Sequence, residues 1–199
     1  MKNSDIKEVQ TELSILIGQP LRKFGRAGTL LTMNFGELVE IDAPARDKDG
    51  RLARDENGQG IHTKGFVGRH AFNAYCEFRV ICGNKILFGR SDFFLPNTTL
   101  IPELYQDEDF DLDDFEWHKK GDNYFDEMIA RFFSRNLDDY IVKKIIVSPF
   151  GDLEIVFENG FEIHLFVDDS TASESWCFYE IGGECENSLK ILGTGVERE

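Results

Sequence analysis

Residues 140–167 constrain the fold most, because two turn signals punctuate an alternating apolar pattern there and leave little room for anything but an antiparallel meander. Pro149-Phe150-Gly151-Asp152 is a tight turn, and Asn159-Gly160 is the dipeptide favoured in two-residue hairpins, whose backbone needs positive φ. Strands are predicted over 140–148, 153–158 and 161–167. Side chains alternate across a strand, so Leu153, Ile155, Phe157, Phe161, Ile163, Leu165 and Val167 should share a buried face. Glu154, Glu158, Glu162 and His164 then fall on the opposite, mostly negative face. A fourth strand is predicted over 176–181, after the acidic loop Asp168-Asp169-Ser170, and a short one over 189–192.

Before the meander, Phe125, Met128, Ile129, Phe132, Phe133 and Leu137 recur at helical spacing, predicting a helix over 123–135 capped by Asp122. Near the N-terminus Ile6, Val9, Leu13, Leu16 and Ile17 predict a helix over 4–17, capped by Ser4 or Asn3 and ended by Gly18 and Pro20. Arg22, Lys23 and Arg26 lie among glycines that fit no phosphate-binding motif, so 21–28 reads as a solvated basic turn. Strands are expected at 29–35 and 37–41 with a turn at 34–36. The polar stretch 42–65 reads as a long loop or hairpin tip, and 72–80 as one alternating strand turning back at Gly83-Asn84.

Residues 106–117, QDEDFDLDDFEW, interleave Asp107, Glu108, Asp109, Asp111, Asp113, Asp114 and Glu116 with Phe110, Leu112, Phe115 and Trp117. Four large apolar groups in twelve residues need a surface to lie on, so the stretch reads as an acidic connector anchored by its aromatic residues. Charge divides around it: up to residue 100 there are twelve acidic and fourteen basic residues, and from residue 101 onward twenty-five acidic and eight basic. The fold expected is α+β: two antiparallel β-rich halves, each with an amphipathic helix, packed as one unit. Residues 1–100 hold the first helix and sheet, 101–121 the connector and 122–199 the second helix and the meander.

Eighteen Phe and 41% hydrophobic residues in 199 suffice for a core. A formal charge of −15 repels nucleic acid and anionic membrane and attracts a basic protein partner. The first residues lack a signal-peptide pattern and no apolar run reaches the roughly 20 residues of a membrane span, so the expected compartment is the cytoplasm, with free thiols at Cys76, Cys82, Cys177 and Cys185. No CxxC pair is present, a zinc site would need distant residues to converge, and neither 47–58 nor 107–118 completes a calcium loop, so no metal or cofactor is expected.

His164, Asp168, Asp169, Glu174 and Cys177 are near in sequence and offer a hydrolase reading, but no nucleophile elbow or HExxH accompanies them. The segments Ile17-Gly18-Gln19-Pro20-Leu21, Gly25-Arg26-Ala27, Cys76-Glu77-Phe78-Arg79, Phe157-Glu158-Asn159-Gly160, Asp168-Asp169-Ser170 and Glu174-Ser175-Trp176 resemble landmarks of small acidic bacterial proteins of uncharacterised function, some of them immunity partners of toxins. That resemblance implies a shared fold and carries over no catalytic residue; residues 42–65 stand as an insertion relative to it. The function expected is a non-enzymatic, immunity-type protein that binds and neutralises a basic bacterial toxin, with a structural or adaptor role as the alternative. Its binding residues would be Asp107, Glu108, Asp109, Asp111, Asp113, Asp114, Glu116, Trp117, Glu158, Glu162, Asp168 and Asp169.

Overall fold

The computed structural model describes residues 1–45, 52–100, 115–134, 137–182 and 188–198. Helix α1 (Asn3–Leu13) and a 3-10 turn at Ser14–Leu16 lead into β1 (Leu21–Ala27), β2 (Leu30–Pro44), β3 (His62–Ala74), β4 (Glu77–Cys82) and β5 (Lys85–Gly89). A 3-10 segment, Arg90–Phe94, follows; then come α2 (Tyr124–Phe132), β6 (Val142–Val147), β7 (Leu153–Phe157), β8 (Phe161–Phe166), β9 (Glu174–Glu180), β10 (Leu189–Leu192) and β11 (Gly195–Arg198). The class is α+β, with two antiparallel sheets: β1-β2-β3-β9-β10-β11 and β5-β4-β8-β7-β6.

The meander 140–167 forms as its period dictates: Leu153, Ile155, Phe157, Ile163 and Leu165 are buried and Phe161 and Val167 half-buried. Both sheets contribute to one hydrophobic cluster, in which Phe24, Phe35, Phe72, Phe78, Phe88, Phe125 and Phe157 are all buried. Phe24 lies 4.4 Å from Phe133 and Phe93 4.4 Å from Phe125, so rings from β1, α2 and the 3-10 segment interlock.

Several local expectations change. The basic segment 21–28 is a strand, because Leu21 and Phe24 point into the core while Arg22 and Arg26 find carboxylate partners. The two short strands at 29–35 and 37–41 are one long strand, β2, and the turn between them is a bulge: Phe35 pairs with His70 but Leu38 with Gly68, with Gly36 at φ 88. Residues 42–44 and 62–65 extend the β2–β3 ladder into what reads as loop, while 46–51 lie outside the described residues. The strand expected over 72–80 is split at Tyr75 and Cys76, its first part in one sheet and its second in the other. Alternation continues across the break, which is why sequence does not reveal it. Each sheet therefore takes strands from both sides of residues 101–121, through β3–β9 and β4–β8.

Helix caps also differ. The first helix follows Lys2, whose N–H donates to Asp5 at 3.1 Å. Asn123, not Asp122, caps α2: its side chain accepts from the Asp126 N–H at 2.8 Å, and the residue is fully buried. Gln10 of α1 donates to the Ile145 carbonyl (2.7 Å) and accepts from the Val147 N–H (3.0 Å), satisfying part of the outer edge of β6. No helix among the described residues is long and apolar enough to cross a membrane.

Gly151, in the β6–β7 turn, joins this meander to the other sheet. Its carbonyl accepts from the indole N–H of the fully buried Trp176 at 2.8 Å, and a Cβ there would lie 2.7 Å from the Ile191 side chain. Gly160 has a similar φ, 85 against 94, but open space around it. Gly160→Ala should therefore cost only the roughly 1–2 kcal/mol of a left-handed backbone, whereas Gly151→Ala adds about 1–3 kcal/mol of overpacking. Urea unfolding of the two variants should rank them in that order.

Candidate functional site

The face of β7 and β8 turned away from the core brings Glu154, Glu162 and His164 together. Sheet register sets out two rows across it. Ile146, Glu154, His164 and Arg79 stand side by side on β6, β7, β8 and β4; Lys144, Val156, Glu162 and Ile81 form the next row. Glu154 and His164 are direct cross-strand partners, and Glu162 precedes His164 by two residues on the same face. All three are half-buried, and their ligand atoms lie within 4.8 Å of one another. A shallow hollow beside them has Ile146 and Phe166 among its walls.

The hydrogen bonds fix how His164 is used. Its Nε2 is 2.9 Å from Glu162 Oε2, and Arg79 Nη2 is 3.4 Å from its Nδ1. A guanidinium has only donors, so Nδ1 accepts and the proton of the neutral ring sits on Nε2, donated to Glu162. Arg79 is held over the Phe166 ring, 4.9 Å from its centroid, and its Nε is buried without a hydrogen-bond partner. Asp152, at the hollow's edge, is already engaged: it accepts from the Val167 N–H and from the Ser148 hydroxyl, each at 2.9 Å.

The predicted site residues fall in different places. Asp107, Glu108, Asp109, Asp111, Asp113 and Asp114 lie outside the described residues. Glu158 is exposed at the turn before β8, Glu162 is half-buried on the strand, and Asp168 and Asp169 are exposed beyond its far end. Asp169 closes its own turn, accepting from the Thr171 N–H (2.7 Å) and hydroxyl (3.0 Å). His164 is engaged with Glu162 and Arg79, while Glu174 is on β9 of the other sheet, beside Cys177. Burial pushes the Cys76 and Cys177 thiols up to about 12, which leaves both as packing groups. Arg79 is the participant that sequence passed over; its place on the polar side of an alternating segment was visible, but its neighbour across the ladder was not.

Glu116 is exposed, and Trp117 half-buried, edge-on to Phe94 at 5.1 Å. The Trp117 carbonyl accepts from Asn123 (2.7 Å) and Arg26 (3.3 Å), so the end of the connector is tied to the start of α2 and to β1. Arg26 makes a two-pronged pair with Asp126, at 2.8 and 2.7 Å, with side chains 7% and 12% exposed. Burial alone would raise the Asp126 carboxyl. The hydrogen bond from Arg26, with another from the Gly121 N–H, outweighs it and holds the group below its usual 3.8.

Removing one member of such a buried pair typically costs about 3–5 kcal/mol, so Asp126→Asn should destabilise on that scale at pH 7 and shift Trp117 emission toward the solvent-exposed range. Because the folded carboxyl titrates below the unfolded one, the stabilisation is complete above 3.8 and is lost as pH falls through the lower folded-state value. Urea unfolding of wild type and Asp126→Asn should therefore converge toward acid and diverge at neutrality.

Comparison of the chain with protein-family models, with curated proteins and with solved structures gives no match in any of the three.

Proposed function

We propose that this chain is a non-enzymatic, immunity-type binding protein that neutralises a basic bacterial toxin by covering its active surface. The observation that carries the reading is the placement of Glu154 and Glu162 together on the half-exposed face of adjacent strands, in a chain whose charge from residue 101 onward is carried by twenty-five acidic against eight basic residues. Carboxylates on strands are held in register, so they offer a cationic partner a fixed pattern. The remaining acids of this half of the sequence, Glu158, Asp168, Asp169 and those of 106–117 among them, would add attraction over a Debye length of roughly 8 Å. Trp117 is the aromatic group that would give central binding energy.

The test is co-expression with the product of the adjacent gene. Protection of the host and a complex that weakens as salt rises are expected; no protection and no complex at low salt would sink the reading. Within a complex, reversing Glu162 to Lys should slow association and flatten its loss with salt, while an equal charge reversal at Glu8 on α1 should change little. Stopped-flow association at two ionic strengths distinguishes these outcomes.

A role as an assembly component is favoured by a different observation. Leu38 and Phe66 are 55% and 64% exposed at neighbouring positions of the β2–β3 ladder, beyond the part paired with β1 and β9. A stable homo-oligomer that buries both would select that role.

A further inference from the structure

The notion that metal ligands would have to converge from distant parts of the chain is answered by the β7–β8 register, which brings three of them together within one hairpin. We infer that Glu154, Glu162 and His164 form a binding site for a divalent transition-metal ion, zinc by its ligand chemistry. The inference is independent of the immunity reading.

The donor set is one imidazole nitrogen and two carboxylates, within 4.8 Å of one another and all half-buried. Zinc accepts N and O donors at about 2.0–2.2 Å, and three protein ligands leave a fourth position for water or an exogenous group. Calcium, which takes six to eight oxygens, is poorly matched to a set with an imidazole and only two carboxylates. The ligands stand on the regular part of two paired strands, where backbone movement is restricted. Asp152, whose two oxygens accept from Ser148 and Val167, is outside the converging group.

The ion would lie beside the line joining His164 Nε2 and Glu162 Oε2, now 2.9 Å apart, and displace the proton between them. When the ion takes the Nε2 lone pair, the neutral ring carries its proton on Nδ1 instead. The proton count of the imidazole is unchanged; its tautomer is reversed. Nδ1 then no longer accepts from Arg79. That bond is 3.4 Å, at the long limit for N–H donors, and Arg79 keeps its stacking on Phe166. Arg79 thus opposes the ion twice, by its charge and by favouring the wrong tautomer, and it sets the affinity.

The experiment is titration of the metal-stripped full chain with zinc chloride, followed by calorimetry and by the ring-nitrogen resonances of the four histidines. One equivalent should bind, with His164 shifting to the Nδ1–H tautomer while His62, His70 and His118 stay in place. His164→Gln should abolish this binding. Glu154→Gln and Glu162→Gln should each weaken it at least tenfold, the lower end of what even an outer-shell partner is worth. Arg79→Gln, whose carbonyl can accept from Nδ1–H, should tighten it about tenfold on the same scale. Binding that spreads over several equivalents without a His164 shift, or an affinity unchanged by the two Glu→Gln variants, would overturn the site. Those two near-isosteric variants decide the matter if His164→Gln fails to fold.

Discussion

The fold depends on one backbone crossing, at Tyr75 and Cys76, where the chain leaves the six-stranded sheet and enters the five-stranded one. Interrupting a strand strands backbone groups without ladder partners, and buried ones must be satisfied. Here the Ser175 carbonyl accepts from both N–H groups, at 2.8 Å for Tyr75 and 3.2 Å for Cys76. On the other side, the Arg90 guanidinium donates to the carbonyls of Tyr75 and Cys76 and to that of Thr29, with Glu77 3.5 Å away. Ser175 belongs to β9 and Arg90 to the segment after β5, so residues far apart in sequence meet at this corner.

From that crossing follow the non-local pairings. With β3 held against β9, β4 is delivered beside β8, and the two sheets face each other over a shared aromatic core. A second corner forms where Gly18 and Leu21 donate to the carbonyls of Val142 and Tyr140, and Val142 donates to Gln19, tying the start of β1 to the start of β6. These links explain why the two ends of the chain cannot be understood as a sheet each. They also place Arg79 against His164, a contact between residues 85 positions apart that gives the candidate site its polarity.

What was legible in the sequence was local and periodic. The meander from Val142 to Phe166 was readable because Asn159-Gly160 marks a hairpin and alternation gives its faces; the turn itself takes three residues, 158–160, rather than two, since Ile155↔Ile163 and Val156↔Glu162 set Phe157 opposite Phe161. Consequently Glu154, Glu162 and His164 could be assigned to one face from spacing alone. Three things were not legible. The bulge at Gly36 looks like a turn because both use a positive φ glycine. The break at Tyr75 and Cys76 preserves the alternation it interrupts, so periodicity carries no trace of it. The basic residues of β1 look like a solvated turn because the partners of Arg26 and Arg22, Asp126 and Asp138, are 100 and 116 residues downstream.

The same distinction bears on how an acidic surface of this kind would act. Charge in loops and connectors contributes a field that depends on its amount and little on its arrangement, and salt screens it. Charge on β7 and β8 is different: Glu162 has one oxygen committed to His164, and Arg79 lies next to that ring, so the negative charge there is neither free to rotate nor uncompensated. A long-range partner would sense the total, whereas a group in contact would meet a carboxylate pair, an imidazole and a guanidinium in fixed positions. Arg79 is the cation in contact with His164, so a group that binds this face would either accommodate its charge or displace it from the ring.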